Sequence, residues 1–379
     1  MSLHVTLNRS AFLQSLRTTQ KAIASKTTIP ILTGVKVYLS QEGLSLTGSN
    51  VDISIETFIP ADDEKANMQI HDVGGIIIQA KFLSDIVSRL DAPVFSMEVL
   101  ENNQVKIVAD KKEVLVNGID MENYPRLPLV EQMNPLKMPV HVLTKLVSET
   151  VFSVSVHESR PILTGVHFVL NDNENLLAVA TDSHRLSQRI IKLPNMAENF
   201  NIVIPGKSLK DISAVFPDEE EELEIHFMEN QVLFRTDTIM YYSRLLEGNY
   251  PDTNRLIPDS FNTTVEFSVS EFRKSIDLAS VMSHEGRNNI VKLEITSDGV
   301  KLYGNSPEAG KVEEELVVEK VTGDPLTISF NPDYMKDALR AFGETNIQIQ
   351  FISPIRPFTL EPTETTGEFI QLITPVRTN

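Results

Sequence analysis

The chain has 379 residues, of which 41% are apolar; it carries a net charge of −18 and no cysteine. That length implies two or three domains with packed cores. The missing thiols exclude disulfides and thiolate metal sites, no apolar run is long enough to cross a bilayer, and the polar N-terminus lacks a signal-peptide core, so a cytosolic location is expected.

In chain order, Phe12, Leu13 and Leu16 first form an apolar helical stripe. Pro30-Ile31-Leu32-Thr33-Gly34-Val35 follows, and the alternation of Val35, Val37 and Leu39 predicts a strand, as does that of Val51, Ile53 and Ile55. Phe82, Leu83, Ile86, Val87 and Leu90 predict a second helix. The proline-rich stretch from Pro128 to Pro139 then marks a boundary.

The same order returns. A helix over Leu143, Leu146 and Val147 precedes Pro161-Ile162-Leu163-Thr164-Gly165-Val166, an identical copy of the earlier hexapeptide 131 residues on. Ala80-Lys81-Phe82-Leu83-Ser84-Asp85-Ile86 resembles Gly206-Lys207-Ser208-Leu209-Lys210-Asp211-Ile212, which opens a helix over Leu209, Ile212, Val215 and Phe216. Glu101-Asn102-Asn103-Gln104-Val105 resembles Glu229-Asn230-Gln231-Val232, and Asn123-Tyr124-Pro125 resembles Asn249-Tyr250-Pro251. Leu223, Ile225 and Phe227 predict a strand after the acidic turn at residues 218–222.

A fainter third copy fills the remaining length. It has helices over Phe272, Ile276 and Ala279 and over Tyr334, Met335, Ala338 and Leu339. Its strands run over Val291, Leu293 and Ile295 and over Ile347, Ile349 and Phe351. Asn331 before Pro332 reads as a helix cap and Gly343 as a stop. The fold class is α+β: three similar domains, 1–130, 131–256 and 257–379, each with antiparallel sheet and two helices packed on it.

The strong negative charge argues against nucleic acid, which is normally met by a basic face. Its distribution changes the argument. The six helical stretches carry a net +5, which leaves −23 on everything else. A mildly positive helical surface on an acidic body can touch phosphates without reading sequence. So few charges hold DNA only weakly, and retention has to come from shape. The plainer reading is that solvated lysines and arginines are common on any helix.

The most specific motif is Ala180-Thr181-Asp182-Ser183-His184-Arg185-Leu186. Asp182, Ser183 and His184 offer the ingredients of a hydrolase triad, but catalytic triads converge from separate elements rather than from neighbours in sequence. No catalytic residue is assigned. The eight histidines are scattered, and neither a metal-ligand spacing nor a glycine-rich phosphate loop is present, so no metal and no cofactor are expected.

That motif, Glu247-Gly248-Asn249-Tyr250-Pro251-Asp252, the stretch from Ser329 to Tyr334 and the ending Thr374-Pro375-Val376-Arg377 together resemble the beta subunit of bacterial DNA polymerase III, the sliding-clamp family, over essentially the whole chain. The resemblance implies a DNA clamp fold: a head-to-tail homodimer forming a ring of six domains around double-stranded DNA, without sequence specificity and without enzymatic activity of its own. Twelve helices about 9 Å apart would put opposite axes about 34 Å apart. Removing about 10 Å of helix bulk leaves room for a duplex. The alternative is an acidic three-repeat interaction scaffold that binds no nucleic acid.

The resemblance also implies a groove for short linear peptides of the replicative polymerase subunit, the clamp loader and repair proteins. Carried over by position, its central-domain residues are Leu163, Thr181, Ser183, His184, Arg185, Leu186, Pro251, Arg255 and Leu256. Those of the last domain are Asn331, Tyr334, Ile355, Pro357, Leu372, Thr374, Pro375, Val376 and Arg377. An apolar slot with polar anchors suits such ligands, although Leu163, Leu186 and Ile355 can equally be read as core. Thr374 departs from the family, which usually has an apolar residue there. DNA contacts are implied at Lys26, Lys81, Arg89, His157, Arg160, Lys207 and Lys210. A dimer seam is implied between Lys111, Val114 and Val116 at one end and Val281, Met282, Glu308, Glu313 and Glu314 at the other, with opposite charges favouring head-to-tail closure.

Overall fold

The structure, a computed structural model, describes residues 2–24, 27–128, 134–157, 159–171, 175–193, 199–217, 221–285 and 289–377. The chain forms two compact units, Met1–Leu143 with Asp211–Leu245, and Thr144–Lys210 with Leu246–Asn379. The second sequence repeat is thus divided. Its first strand, Leu136–Pro139, and its later strands belong to the sheet of the first repeat, and the strands between them belong to a sheet of the third.

In the first unit, a 13-stranded antiparallel sheet runs through both contributions. Strand Ile239–Arg244 pairs with Ile53–Pro60, with Tyr241 opposite Ile55, Tyr242 opposite Ser54 and Ser243 opposite Ile53. Helices Arg9–Gln20 and Ala80–Ser88 pack on the sheet. Their buried Phe12, Leu13, Leu16, Leu83 and Val87 share one cluster with Val37, Leu46, Ile76, Phe95 and Met97. Phe12 meets Phe95 edge to face at 5.2 Å. Asn8 caps the first helix, its Oδ1 accepting from Ser10 N at 2.8 Å. Arg9 spends its charge inside: its Nη1 donates to the carbonyls of Ser88 and Leu90, at the end of the other helix.

In the second unit, a nine-stranded sheet places Arg185–Lys192 beside Phe369–Ile373, and a four-stranded sheet holds Val291–Thr296, Gly299–Ser306, Gly310–Glu315 and Leu326–Phe330. Helices Val269–Glu285 and Pro332–Phe342 complete a core with Phe267, Phe330, Phe351 and Phe358. Helix and strand approach closely at Gly304, where a Cβ would lie 2.3 Å from the Ala279 carbonyl oxygen. The Asn331 cap and the Gly343 stop both form: Asn331 Oδ1 accepts from Asp333 N, and Gly343 has φ of 70°. Among the described residues no helix is long and apolar enough to cross a membrane.

Three local readings change. Val51 lies outside the strand and is exposed. The helix over residues 206–216 divides into Gly206–Lys210 and Ile212–Val215 about Asp211, yet Leu209, Ile212, Val215 and Phe216 are all buried. Phe82 is 56% exposed. The buried face of its helix is set by Ala80, Leu83 and Val87, and one residue away from Leu83 is about a quarter turn off that stripe. Phe82→Ala is therefore expected to change stability by less than about 0.5 kcal/mol, whereas Leu83→Ala should cost about 2–5 kcal/mol. Urea denaturation of both variants checks this, and equal losses would return Phe82 to the core.

Candidate functional site

The site is built where two sequence repeats share a sheet. Arg185 pairs with Ile373 and Leu186 with Leu372 in one antiparallel ladder. The ladder continues into the chain end: Thr374 N donates to His184 O at 2.9 Å, and Val376 N donates to Ser329 O at 2.8 Å. The terminal segment is thereby pinned along the ladder.

Residues 181–185 form a tight turn that the sequence specifies. Asp182 Oδ1 accepts from the backbone N of His184 at 2.9 Å and of Arg185 at 3.0 Å, the side-chain bonding that makes Asp a turn former. Thr181 Oγ1 accepts from Ser183 N and donates to Arg185 O. Ser183 takes the left-handed conformation, φ 78°, at the tip. Tyr250 Oη accepts from Thr181 N at 3.1 Å, and its ring stacks on His167 at 4.6 Å. The ring also packs against Val179, Leu186 and Leu372.

Arg185 organises the polar side. Its Nε donates to Asp182 Oδ2 at 3.0 Å and its Nη1 to Asp337 Oδ2 at 2.7 Å. Its guanidinium lies 4.7 Å from the centre of the Tyr334 ring and 5.6 Å from that of Phe152. Two carboxylates and two rings fix this one side chain, a task for which a planar fork is suited. The His184 and Tyr334 rings lie nearly parallel, 6.5 Å apart. Burial, assisted by the Asp182 charge, raises the Tyr334 phenol above its ordinary range and keeps it neutral. Below the site, Gln371 Nε2 donates to Ser187 Oγ at 2.7 Å, and Ser187 donates to the carbonyl of the buried Glu149. Burial raises the Glu149 carboxyl, opposed by the charges of Arg189 and Lys145.

The expected groove residues fall into two groups. Leu163, Leu186 and Leu372 are buried, Leu186 to 1% exposure. Ile355, 59% exposed, and Leu256, 48% exposed, are open apolar surface. Pro251 and Arg377 are exposed, Pro357 and Val376 half-buried, and Pro375 buried. Arg255 is exposed and paired with Asp252 at 2.9 Å. Asn331 is engaged as the helix cap. Arg185 with Tyr334, His184 with Tyr334 and with Thr374, and Leu186 with Leu372 are brought together directly. The sequence reading missed Tyr250, Phe152 and Asp337. The recurrence of Asn-Tyr-Pro was the one available signal, for Tyr250.

Of the residues implied for DNA, Lys26 lies outside the described residues. Lys81, His157, Lys207 and Lys210 are exposed. Arg89 pairs with Asp85 at 3.2 Å, and Arg160 Nη1 donates to Ser183 Oγ at 3.4 Å, so neither cation is unengaged. At the implied seam, Lys111, Val281 and Glu308 are exposed and Met282 is half-buried. Val114 and Val116 are half-buried, and Leu115 between them points outward. Glu313 pairs with Lys301. Glu314 Oε1 accepts from Ser275 Oγ at 2.8 Å.

A repeated α+β chain with helices laid on shared antiparallel sheets, and a tethered C-terminal segment beside an exposed turn, defines a clamp-type protein. Sequence profiles of the DNA polymerase III beta subunit match in succession, the N-terminal domain at residues 3–128, the central domain at 137–252 and the C-terminal domain at 254–377. The beta sliding clamp of Streptococcus pneumoniae is 48% identical over all of both chains. That of Bacillus subtilis is 42% identical over 98% of this chain and 99% of the relative. The crystal structure of the S. pneumoniae DNA polymerase III beta chain superposes with a TM-score of 0.96, covering 99% of this chain and 100% of that one. The B. subtilis sliding clamp, 41% identical, superposes over the whole of both chains with a TM-score of 0.96. The chain belongs to the beta sliding clamp family of DNA polymerase III subunits. It is a non-catalytic processivity subunit.

Tyr250→Phe tests the construction of the turn. It keeps the ring but removes the acceptor of Thr181 N, and an unsatisfied buried donor costs about 1–3 kcal/mol. Faster amide hydrogen exchange at Thr181 and a lowered urea midpoint are the expected result. Unchanged exchange would mean that another group satisfies that N–H.

Proposed function

We propose that the junction of the second and third repeats is the groove through which this clamp holds short linear peptides of the replicative polymerase, the clamp loader and repair proteins. The observation that carries the reading is the ladder pairing Arg185 with Ile373 and Leu186 with Leu372. It sets residues from two repeats side by side at one surface. Exposed Ile355, Leu256 and Pro251 supply apolar surface for aliphatic and aromatic side chains. The turn at 181–185 and Arg377 supply polar anchors. Leu163, Leu186 and Leu372 form the floor, and Thr374, Pro375 and Val376 form one wall.

The clamp works as a cytoplasmic head-to-tail homodimer closed around duplex DNA. Domains 1–130, 131–256 and 257–379 are the repeating units of the ring, in accord with the three matched profile ranges. Two open strand edges support the closure. Residues 112–117 pair on one side with Gln104–Ala109 and have no second partner strand among the described residues. Among the described residues Gly310–Glu315 pairs only with Gly299–Ser306. Unpaired edges of this kind are templates for another chain. Lys111 at one end and Glu308 at the other give the edges opposite charge. Lys81, Lys207 and Lys210 touch the DNA backbone weakly. With Arg89 and Arg160 engaged by neighbours, retention rests on ring closure and not on counterion release.

Two experiments test these readings. Deleting residues 375–379 removes part of the wall, and a fluorescently labelled peptide of aliphatic and aromatic residues should lose at least about tenfold in affinity, or about 1.4 kcal/mol, while the dimer persists. Undiminished affinity would move the partner site elsewhere. At the seam, Val116 packs partly on the core, so the cleaner pair is Lys111→Glu with the exposed Leu115→Glu. Sedimentation should show folded monomers where the parent chain is a dimer. A variant that sediments as the parent does would place the interface on other edges.

A further inference from the structure

The backbone device of the groove occurs twice. In the first unit, Asn50 takes the place of Asp182: its Oδ1 accepts from Asp52 N at 2.8 Å and from Ile53 N at 2.9 Å. Ile53 pairs with Ser243 as Arg185 pairs with Ile373. Arg244 N donates to Asp52 O at 2.9 Å, the same length as the bond from Thr374 N to His184 O. Both turns follow a Pro-Ile-Leu-Thr helix, Pro30–Thr33 and Pro161–Thr164. A tyrosine hydroxyl also bonds the strand before each turn: Tyr124 Oη donates to Thr47 O at 3.2 Å, and Tyr250 Oη accepts from Thr181 N. Here the frame opens a cavity of about 300 Å³, at the lower end of the range for ligand pockets.

The side chains on the shared frame differ in chemistry. Arg126 follows Tyr124-Pro125 where Asp252 follows Tyr250-Pro251, and Arg244 stands at the position of Thr374. Both arginines line the cavity and are exposed, and neither has an ion pair with a described acid. Among the described residues that line the cavity Asp52 is the one acid, so these residues together carry a net positive charge within an acidic chain. Ile29 and Leu32 give it apolar walls, with the exposed Val51 at its edge.

We propose that this cavity is a second peptide site, for an acidic linear segment that contains leucine or a similar aliphatic residue. The carboxylates pair with Arg126 and Arg244, and the aliphatic side chain enters against Ile29 and Leu32. The inference takes its class of ligand from the groove reading and its charge preference from these two arginines.

A site-local probe separates the two sites. The chain lacks cysteine, so Val51→Cys and, in a second protein, Ser183→Cys each accept an environment-sensitive thiol dye, one residue after Asn50 and one after Asp182. The titrant is a blocked octapeptide of alternating glutamate and leucine. Saturable response at position 51 is expected, weakened about tenfold by Arg126→Glu with Arg244→Glu, since each rim-exposed charge pair contributes a few-fold. A lysine–leucine octapeptide should not bind there. Both arginines are exposed, and circular dichroism verifies that the reversed protein is folded. Response at 51 without response at 183 leaves the second site standing and counts against the groove. Response only at 183, response at neither position, or affinity at 51 indifferent to the charge reversal overturns the second site. So does displacement from position 51 by a DNA oligonucleotide, which would assign the arginines to phosphate.

Discussion

Strands from different sequence repeats hydrogen-bond into common sheets, and the site depends on that pairing. A repeat that ended its own sheet would leave a row of unpaired N–H and C=O groups. Here Arg185–Lys192 finds its partner in Phe369–Ile373, and Ile53–Pro60 finds its partner in Ile239–Arg244. Register is decisive, because a slip of one residue would exchange the faces of every side chain. With Leu186 opposite Leu372, both leucines lie under Tyr250, and the backbone beyond them is left to hold Thr374 against His184.

The charged groups follow from the same frame. Arg185 is held by Asp182 from its own turn and by Asp337 from helix Pro332–Phe342, with the Tyr334 face beneath it. Breaking such a half-buried cluster leaves a charge without its partners, which costs more than the intact cluster gains. Other cations are spent similarly. Arg9 binds helix-end carbonyls, Arg89 binds Asp85, and Arg160 reaches Ser183. Fewer cations are therefore open to a polyanion than a count along the helices implies. Weak, sequence-independent phosphate contacts suit a protein that slides along DNA.

Duplication explains why one backbone device serves two places. An Asx turn, a strand ladder and a single N–H to C=O bond make no demand on the side chains at the positions of Arg185 or Thr374. Those positions differ, as Ile53 and Arg244, while the backbone hydrogen bonds recur. The hydrogen bonds of the turn thus recur, and exposed side chains set its chemistry.

The amino-acid sequence by itself determined the repeated α+β plan, because apolar periodicity and turn residues are local. The stripe of Phe12, Leu13 and Leu16, the alternation of Ile347, Ile349 and Phe351, and the Asn331–Pro332 helix start were all legible from spacing and all formed. The turn at Asp182 was visible as a motif, but its use was legible only through family resemblance. Tertiary structure alone decided the partition of the second repeat between two sheets, since strand partners far apart in sequence leave no periodic mark. It alone decided that Leu163, Leu186 and Leu372 are buried while Ile355 is exposed, and that Phe82 faces out though its neighbour Leu83 faces in. It alone joined Arg185 to Asp337, 152 residues away. Burial and ion pairing are properties of what the folded chain brings near, and no window of sequence contains those neighbours.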